Sequence, residues 1–99
     1  MKVLLISPLG FAVNPEARYA GIEVLVYNYS RELVKEHEVA VMGHAQSVFP
    51  DGVTLFPTQP TSDSLLSEIN QFQSYQYLIR QYDVIHDFSH QHLASRFMP

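Results

Sequence analysis

Cysteine is absent from this chain of 99 residues, so neither a disulfide nor a thiolate metal site can form. Basic side chains are also few, because six Lys and Arg stand against ten Asp and Glu, for a formal net charge of −4. This balance argues against nucleic-acid binding, which needs a basic face, and against a polybasic membrane anchor. The chain also lacks an apolar run of the roughly 18 residues that a transmembrane segment requires.

The N-terminal apolar run covers only residues 3–6, which is too short for the apolar region of a secretory signal peptide. The sequence therefore predicts a single soluble, cytoplasmic domain over residues 1–99. A function that needs two domains to close on each other is excluded for one copy of such a chain. With 46% hydrophobic residues, the domain has enough apolar side chains to bury a core.

Short apolar runs predict four strands, at residues 3–6, 39–42, 53–56 and 83–88. The first run shows no alternation of polar and apolar residues, which is typical of a strand buried on both faces of a parallel sheet. Gly43 and Pro57 are expected to end the second and third strands.

Helical spacing of apolar residues predicts two helices, and a third is expected to begin near Ser89. The first helix begins at Ala20 and Gly21, and its apolar stripe comprises Ile22, Leu25, Val26, Tyr29 and Leu33. The second runs to about Tyr82, with apolar positions at Leu65, Ile69, Phe72 and Ile79.

The order strand, helix, strand, strand, helix, strand predicts an α/β fold with an open, mostly parallel, Rossmann-like sheet. Ligands bind such sheets beyond the carboxyl ends of the strands, at the point where the strand order reverses. We expect the first and fourth strands to flank that point. The unusually long loop at residues 8–19 and the polar segment at residues 86–90 then converge on one crevice.

The start of the first predicted helix, at Ala20 and Gly21, is suited to an anion such as a phosphate or diphosphate. Backbone N–H groups there are unpaired, the helix dipole favours negative charge, and a glycine allows close approach. The alternative is a glycine used only for the turn. The dinucleotide-binding glycine fingerprint and the Walker A sequence are both absent.

The end of the fourth predicted strand concentrates polar side chains, including His86, Asp87 and His90. Imidazole and carboxylate groups suit sugar hydroxyls, because together they offer donors and acceptors. They also suit divalent metals, but the spacing matches no familiar metal motif. In the structural alternative, His86 is buried and bonded to backbone, whereas His90 is solvated.

Three segments follow one another in a characteristic order, at residues 2–8, 20–27 and 82–87. They are an opening apolar strand, a helix start that reads Ala-Gly-Ile-Glu, and a strand that reads Asp-Val-Ile-His. In order and spacing they resemble the N-terminal domain of the retaining family 4 glycosyltransferases, which have the GT-B fold. The resemblance covers nearly the whole chain.

The resemblance implies transfer of a sugar from a nucleotide-sugar to an acceptor. We expect neither a cofactor nor a bound metal. The resemblance also implies that Ala20 and Gly21 lie against the donor diphosphate. It points to His86, Asp87 and His90 as residues near the transferred sugar. Gly10 and Glu23 complete the predicted sugar and acceptor set, and the alternative for Glu23, in the first helical turn, is a carboxylate that stabilises the helix dipole.

The chain departs from the family pattern at several positions. Ala20 stands where the family has a first glycine, and Phe88 stands where it has a second histidine. No two glutamates have the spacing of the family's donor-gripping Glu-x7-Glu pair. The chain is therefore expected to be the N-terminal part of a glycosyltransferase and to be inactive alone.

Two other hypotheses come from different classes of protein. One is a small Rossmann-like phosphate- or nucleotide-binding module without catalysis. The other is an assembly subunit, because the fourth strand would lie at an open sheet edge that invites self-association.

Overall fold

The computed structural model of the protein describes residues 1–13 and 21–97. The strands are β1 (Lys2–Ile6), β2 (Glu38–His44), β3 (Thr54–Thr58) and β4 (Val84–Asp87). The helices are α1 (Gly21–Leu33), α2 (Ser64–Ile79) and α3 (Leu93–Phe97). The strands form one four-stranded sheet in the order β3-β2-β1-β4, and every pairing among them is parallel. The expected α/β class and Rossmann-like sheet are confirmed.

The strand order reverses at β1, because the chain moves from β1 to β2 on one side and later returns to β4 on the other. Leu5 lies opposite Val41 on β2 and opposite His86 on β4. The loops after β1 and β4 therefore leave the same edge of the sheet side by side, as the sequence predicts.

Helices cover both faces of the central strands. On one face, Leu4 and Ile6 of β1 pack with Ile79 of α2 and Ala94 of α3. On the other face, Val3 and Leu5 pack with Val26 of α1, together with Val39 and Val41. Because both faces of β1 and β2 are buried, their apolar runs need no alternation.

Helix α1 presents a different face to the sheet from the one that its apolar stripe predicts. Its buried residues are Glu23, Val26 and Ser30. Ile22, Leu25 and Tyr29 keep 44%, 45% and 42% of their surface exposed, so the prediction is wrong for most of the stripe. The stripe is directed towards the β4 side of the sheet, because the Tyr29 ring lies 5.8 Å from the ring of Phe88, the residue after β4.

Helix α2 buries a largely polar face near its start. Ser67, Glu68 and Gln71 are buried there, whereas Leu65, a predicted core position, is 46% exposed. Among the other predicted core positions, Ile79 is buried and ends the helix, three residues before the predicted end at Tyr82. Polar side chains therefore cover the sheet where α2 passes its carboxyl edge.

Two predicted strand ends are also wrong, because the strands continue through them. β2 extends through Gly43 to His44, and β3 extends through Pro57 to Thr58. Pro57 is tolerated because β3 lies at the edge of the described sheet, where a strand can lack N–H donors on its outer side. The Tyr75 hydroxyl of α2 donates to the Pro57 carbonyl and ties this edge to the helix.

Candidate functional site

A cleft of about 280 Å³ opens beyond the carboxyl ends of the strands. Leu9 and Gly10, which follow β1, form one wall. The loop after β3, from Pro60 to Ser64, and the first turns of α2 form another, and His90 closes the cleft from the segment after β4. The site thus lies where parallel α/β sheets bind ligands.

The cleft brings together two of the residues predicted from the sequence to bind the sugar or the acceptor, Gly10 and His90. Both are exposed, so their polar groups are accessible to a ligand. A Cβ on Gly10 would meet no atom of the described residues within 4 Å, so packing there does not require a glycine.

The wall beside α2 is a network of hydroxyl groups around the helix cap. Asp63 caps the helix, because its Oδ1 accepts a hydrogen bond from the Leu66 N–H at 3.0 Å. The buried Ser67 hydroxyl accepts from the Thr61 N–H at 2.8 Å and donates to the Asp63 carbonyl at 2.9 Å. These bonds fix the loop after β3 on the helix and give this wall a defined shape.

Glu68 is the most buried charged group of the cleft, with only 3% of its surface exposed. Its Oε1 accepts a hydrogen bond from the Gln91 N–H at 3.0 Å, which joins α2 to the segment after β4. The apolar spacing of the second helix gave no indication of this residue. The sequence signal that could have found it is the polar set Ser67, Glu68 and Gln71, which shares one helical face.

A smaller cavity of about 10 Å³ lies between the sheet and α2, and Glu68 lines it together with Gln71 and Asp87. Asp87 Oδ1 accepts from the Ser89 N–H at 2.8 Å. Within the described part of the chain, Asp87 Oδ2 and Gln71 Nε2 are buried without a hydrogen-bond partner. Asp87 Oδ2 lies 3.8 Å from His92 Nδ1.

His92 stands at the entrance to α3 with φ at 52°, in the left-handed region that side chains with a Cβ rarely occupy. Its N–H donates to the Ser89 hydroxyl at 3.2 Å, and its carbonyl accepts from Arg96 N–H at 3.1 Å. This strained turn holds the segment after β4 over the sheet edge.

His86 and Asp87 point to opposite faces of the sheet, because neighbouring residues alternate along a strand. Asp87 faces the small cavity beneath α2. His86 lies on the α1 side, where its ring stacks on Phe88 at 4.2 Å and lies 5.7 Å from the Tyr29 ring. The structure therefore does not bring His86 and Asp87 together, and His86 is not among the residues that line the cleft.

The proposed diphosphate position lies at the start of α1. Gly21 begins this helix and is exposed, and a Cβ there would meet no described atom within 4 Å. Glu23, in the first turn, is buried with 6% of its surface exposed. Ala20 lies outside the described residues, as does the second half of the long loop that precedes it.

Residues 1–13 and 21–97 contain no group of three His, Asp or Glu side chains placed to hold a metal ion. None of the helices described in that part of the chain has the length and apolar character to cross a membrane. No protein-family model and no curated protein matches this chain.

Proposed function

We propose that this chain forms the acceptor-binding side of a family 4 glycosyltransferase of the GT-B fold. In this proposal a sugar moves from a nucleotide-sugar to an acceptor held in the cleft. The observation that carries it is the cleft itself, which places hydroxyl groups, the Glu68 carboxylate and the His90 imidazole at the carboxyl edge of a parallel sheet. Such groups offer the donors and acceptors that bind sugar hydroxyls.

Each residue role carried over from the family stays a proposal. Gly10 and His90 contact the acceptor in the cleft, and Asp87 supports the segment that carries His90 through its bond to the Ser89 N–H. Glu23 and His86 are on the α1 side of the sheet, so we assign them to the sugar or donor side. Gly21, with Ala20, receives the diphosphate at the exposed start of α1.

Sugar transfer in this scheme requires a second, nucleotide-binding component that supplies the Glu-x7-Glu pair. The experiment mixes the purified chain with labelled UDP-glucose and simple sugars, with and without a separately produced nucleotide-binding half of a GT-B enzyme. The expected result is transfer only in the mixture. Transfer by the purified chain alone would contradict the division of roles proposed here.

The alternative, a phosphate- or nucleotide-binding module, depends on the exposed amide groups at the start of α1. Titration with UDP, UDP-glucose and inorganic phosphate, followed by amide NMR shifts, separates the two functions. Micromolar binding of UDP by this chain alone would favour the module. Shifts in the cleft with sugars, together with weak or absent nucleotide binding, would favour the acceptor-binding role.

Gly21→Ala should separate folding from anion binding. Gly21 does not have the positive φ found at Gly52, and its Cβ position is open, so alanine is expected to raise the free energy of unfolding by up to about 1 kcal/mol. The added methyl group should weaken binding of inorganic diphosphate several-fold by blocking close approach. Thermal unfolding and NMR titration measure the two effects.

Gly10→Ala is the matched control for this substitution, because it also adds a methyl group in open space. It should leave diphosphate binding unchanged. Equal diphosphate affinity of the Gly21→Ala variant and the original protein would remove Gly21 from the anion site.

We also propose that two copies of the chain associate through β4. Among the described strands β4 pairs with β1 alone, so its other edge has unpaired backbone groups. Val84 is exposed on this strand, and the exposed Ile22, Leu25 and Tyr29 of α1 lie on the same side of the sheet. Antiparallel pairing of β4 with its twofold-related copy would satisfy the edge and bring the two α1 stripes together.

Val84→Lys should weaken this association by about tenfold or more, because it replaces an exposed apolar side chain of the pairing edge with a charged one in both copies. Light scattering over a concentration series measures the dimer fraction. Val48→Lys is the control, since Val48 is exposed on the loop after β2 and lies outside β4. A monomer at all concentrations for the unaltered chain would contradict the proposal.

A further inference from the structure

We propose that the cleft selects an uncharged polyhydroxylated ring, such as a single sugar or a cyclitol, and discriminates against its phosphorylated forms. Glu68 is the residue that anchors a ligand hydroxyl. This inference rests on the proposed function for the identity of the cleft as the acceptor site, and it adds the chemical class of the acceptor.

Glu68 has the position and the free capacity for this role. Its carboxylate is fixed within the protein, because the residue is almost fully buried and Oε1 accepts from the Gln91 N–H at 3.0 Å. A carboxylate has about four acceptor sites, so one backbone bond leaves room for ligand hydroxyls. A hydrogen bond from a hydroxyl to an ionised carboxylate is among the stronger kinds available in such a site.

The remaining lining suits the rest of a sugar ring. Ser62 and Ser64 bring hydroxyl groups to the mouth of the cleft, and these donate and accept equally well. Leu9 and Pro60 provide apolar surface, which suits the C–H faces of a ring. Alternating apolar and hydrogen-bonding surface is characteristic of small-molecule sites.

The charges around the cleft oppose a phosphate group. The N-terminus of α2 would ordinarily attract an anion, but the Asp63 carboxylate already accepts from its Leu66 N–H at 3.0 Å. Glu68 places a second carboxylate one turn along the same helix. Glu68 lines the cleft and Asp63 does not, so a phosphate in the cleft would meet the Glu68 carboxylate directly and would find the Leu66 N–H already occupied by Asp63.

The size of the cleft limits the ligand as well. Its volume of about 280 Å³ lies just below the roughly 300–1,000 Å³ typical of small-molecule sites. A single ring fits this space, whereas a disaccharide would extend beyond the cleft.

The test compares glucose and myo-inositol with glucose 6-phosphate, each titrated into the full chain and followed by amide NMR shifts. We expect shifts at residues lining the cleft, and binding of glucose or myo-inositol about tenfold or more tighter than binding of glucose 6-phosphate. Glu68→Gln keeps the shape of the side chain and removes its charge. This substitution should weaken binding of glucose and myo-inositol about tenfold. It should also reduce the ratio of their affinity to that of glucose 6-phosphate.

Glu36→Gln is the matched control, because it removes the same charge at an exposed position outside the cleft. If Glu68→Gln does not fold, Ser62→Trp at the exposed mouth blocks entry without disturbing buried groups, and it should abolish the shifts. Binding of glucose 6-phosphate as tight as that of glucose, or tighter, would overturn the inference. It would not contradict the proposed role of the chain in sugar transfer. Absence of cleft shifts with all three compounds would overturn both the inference and the acceptor-binding role.

Discussion

Leu5→Ala is expected to lower the free energy of unfolding by about 2–5 kcal/mol, the range for a leucine truncated in a closed core. Leu5 is completely buried on the central strand, where it packs with Val26 of α1. Strands on both sides of β1 and helices on both faces leave little freedom for the surroundings to collapse into the space. Since small domains have a total stability of about 5–15 kcal/mol, the variant should lose a large part of its stability. Urea denaturation followed by circular dichroism gives the difference.

Leu65→Ala is the control, because Leu65 lies in the first turn of α2 with nearly half of its surface exposed. The same chemical change should alter the free energy of unfolding by less than about 0.5 kcal/mol. The apolar pattern of the sequence assigns both leucines to the core. A difference between the two stability losses would therefore show the effect of actual burial, which the pattern alone does not give. A loss below about 1 kcal/mol for Leu5→Ala would contradict the burial of Leu5 on an interior strand that is covered on both faces.

Ser67→Ala should destabilise the protein by about 1–3 kcal/mol and loosen one wall of the cleft. The Ser67 hydroxyl accepts from the Thr61 N–H and donates to the Asp63 carbonyl. Alanine removes both bonds and leaves the Thr61 N–H without its acceptor. Chemical denaturation measures the stability, and hydrogen exchange at the Thr61 amide reports the local opening, which should become faster by about tenfold or more.

Ser74→Ala is the corresponding control on α2, because Ser74 is exposed and lies away from the cap. Alanine is the better helix former, so this variant should be as stable as the original protein or more stable by about 0.5 kcal/mol. Unchanged exchange at Thr61 in the Ser67→Ala variant would show that the cap network does not hold the loop after β3.

The strands could be predicted from the sequence because their pattern reflects burial on both faces. The run at residues 3–6 contains only apolar residues, and the structure places it at the centre of the sheet. The ends of β2 and β3 could not be predicted in the same way. Gly43 and Pro57 disfavour strands in general, but Pro57 is tolerated on the edge strand β3, and Gly43 lies opposite it on the interior strand β2, where the ladder continues to His44.

The helices show where apolar spacing fails as a guide to the core. In α1 the apolar stripe that contains Leu25 is largely exposed. The face that packs on the sheet is rotated from it by about one residue and includes Glu23 and Ser30. The rotation of a helix about its own axis depends on the side chains of the sheet and loops against which it packs. The sequence of the helix alone does not contain that information. Periodicity therefore predicted that α1 exists but not which face it buries.

The candidate site was predictable in position and only partly in composition. The convergence of the segments after β1 and β4 follows from strand order, and it brings Gly10 and His90 into one cleft. Apolar spacing did not predict Glu68, because an acidic residue in a helix is usually solvated, and only the polar face that it shares with Ser67 and Gln71 indicates it. His86 and Asp87 lie on opposite faces of the sheet because side chains alternate along a strand. Which face each one takes follows only from the helices that cover the two faces.

The central position of β1 has a consequence for how the chain acquires its fold during synthesis. Lys2 N–H donates to Asp83 Oδ2 at 2.7 Å, across a separation of 81 residues. At a translation rate of about 5–20 residues per second, roughly 4–16 seconds therefore separate the synthesis of β1 from that of β4, with which it pairs. Val3 and Leu5 can meet Val26 and Val41 within that interval, whereas the opposite face of the strand, with Leu4 and Ile6, lacks until the end the Ile79 and Ala94 side chains that cover it.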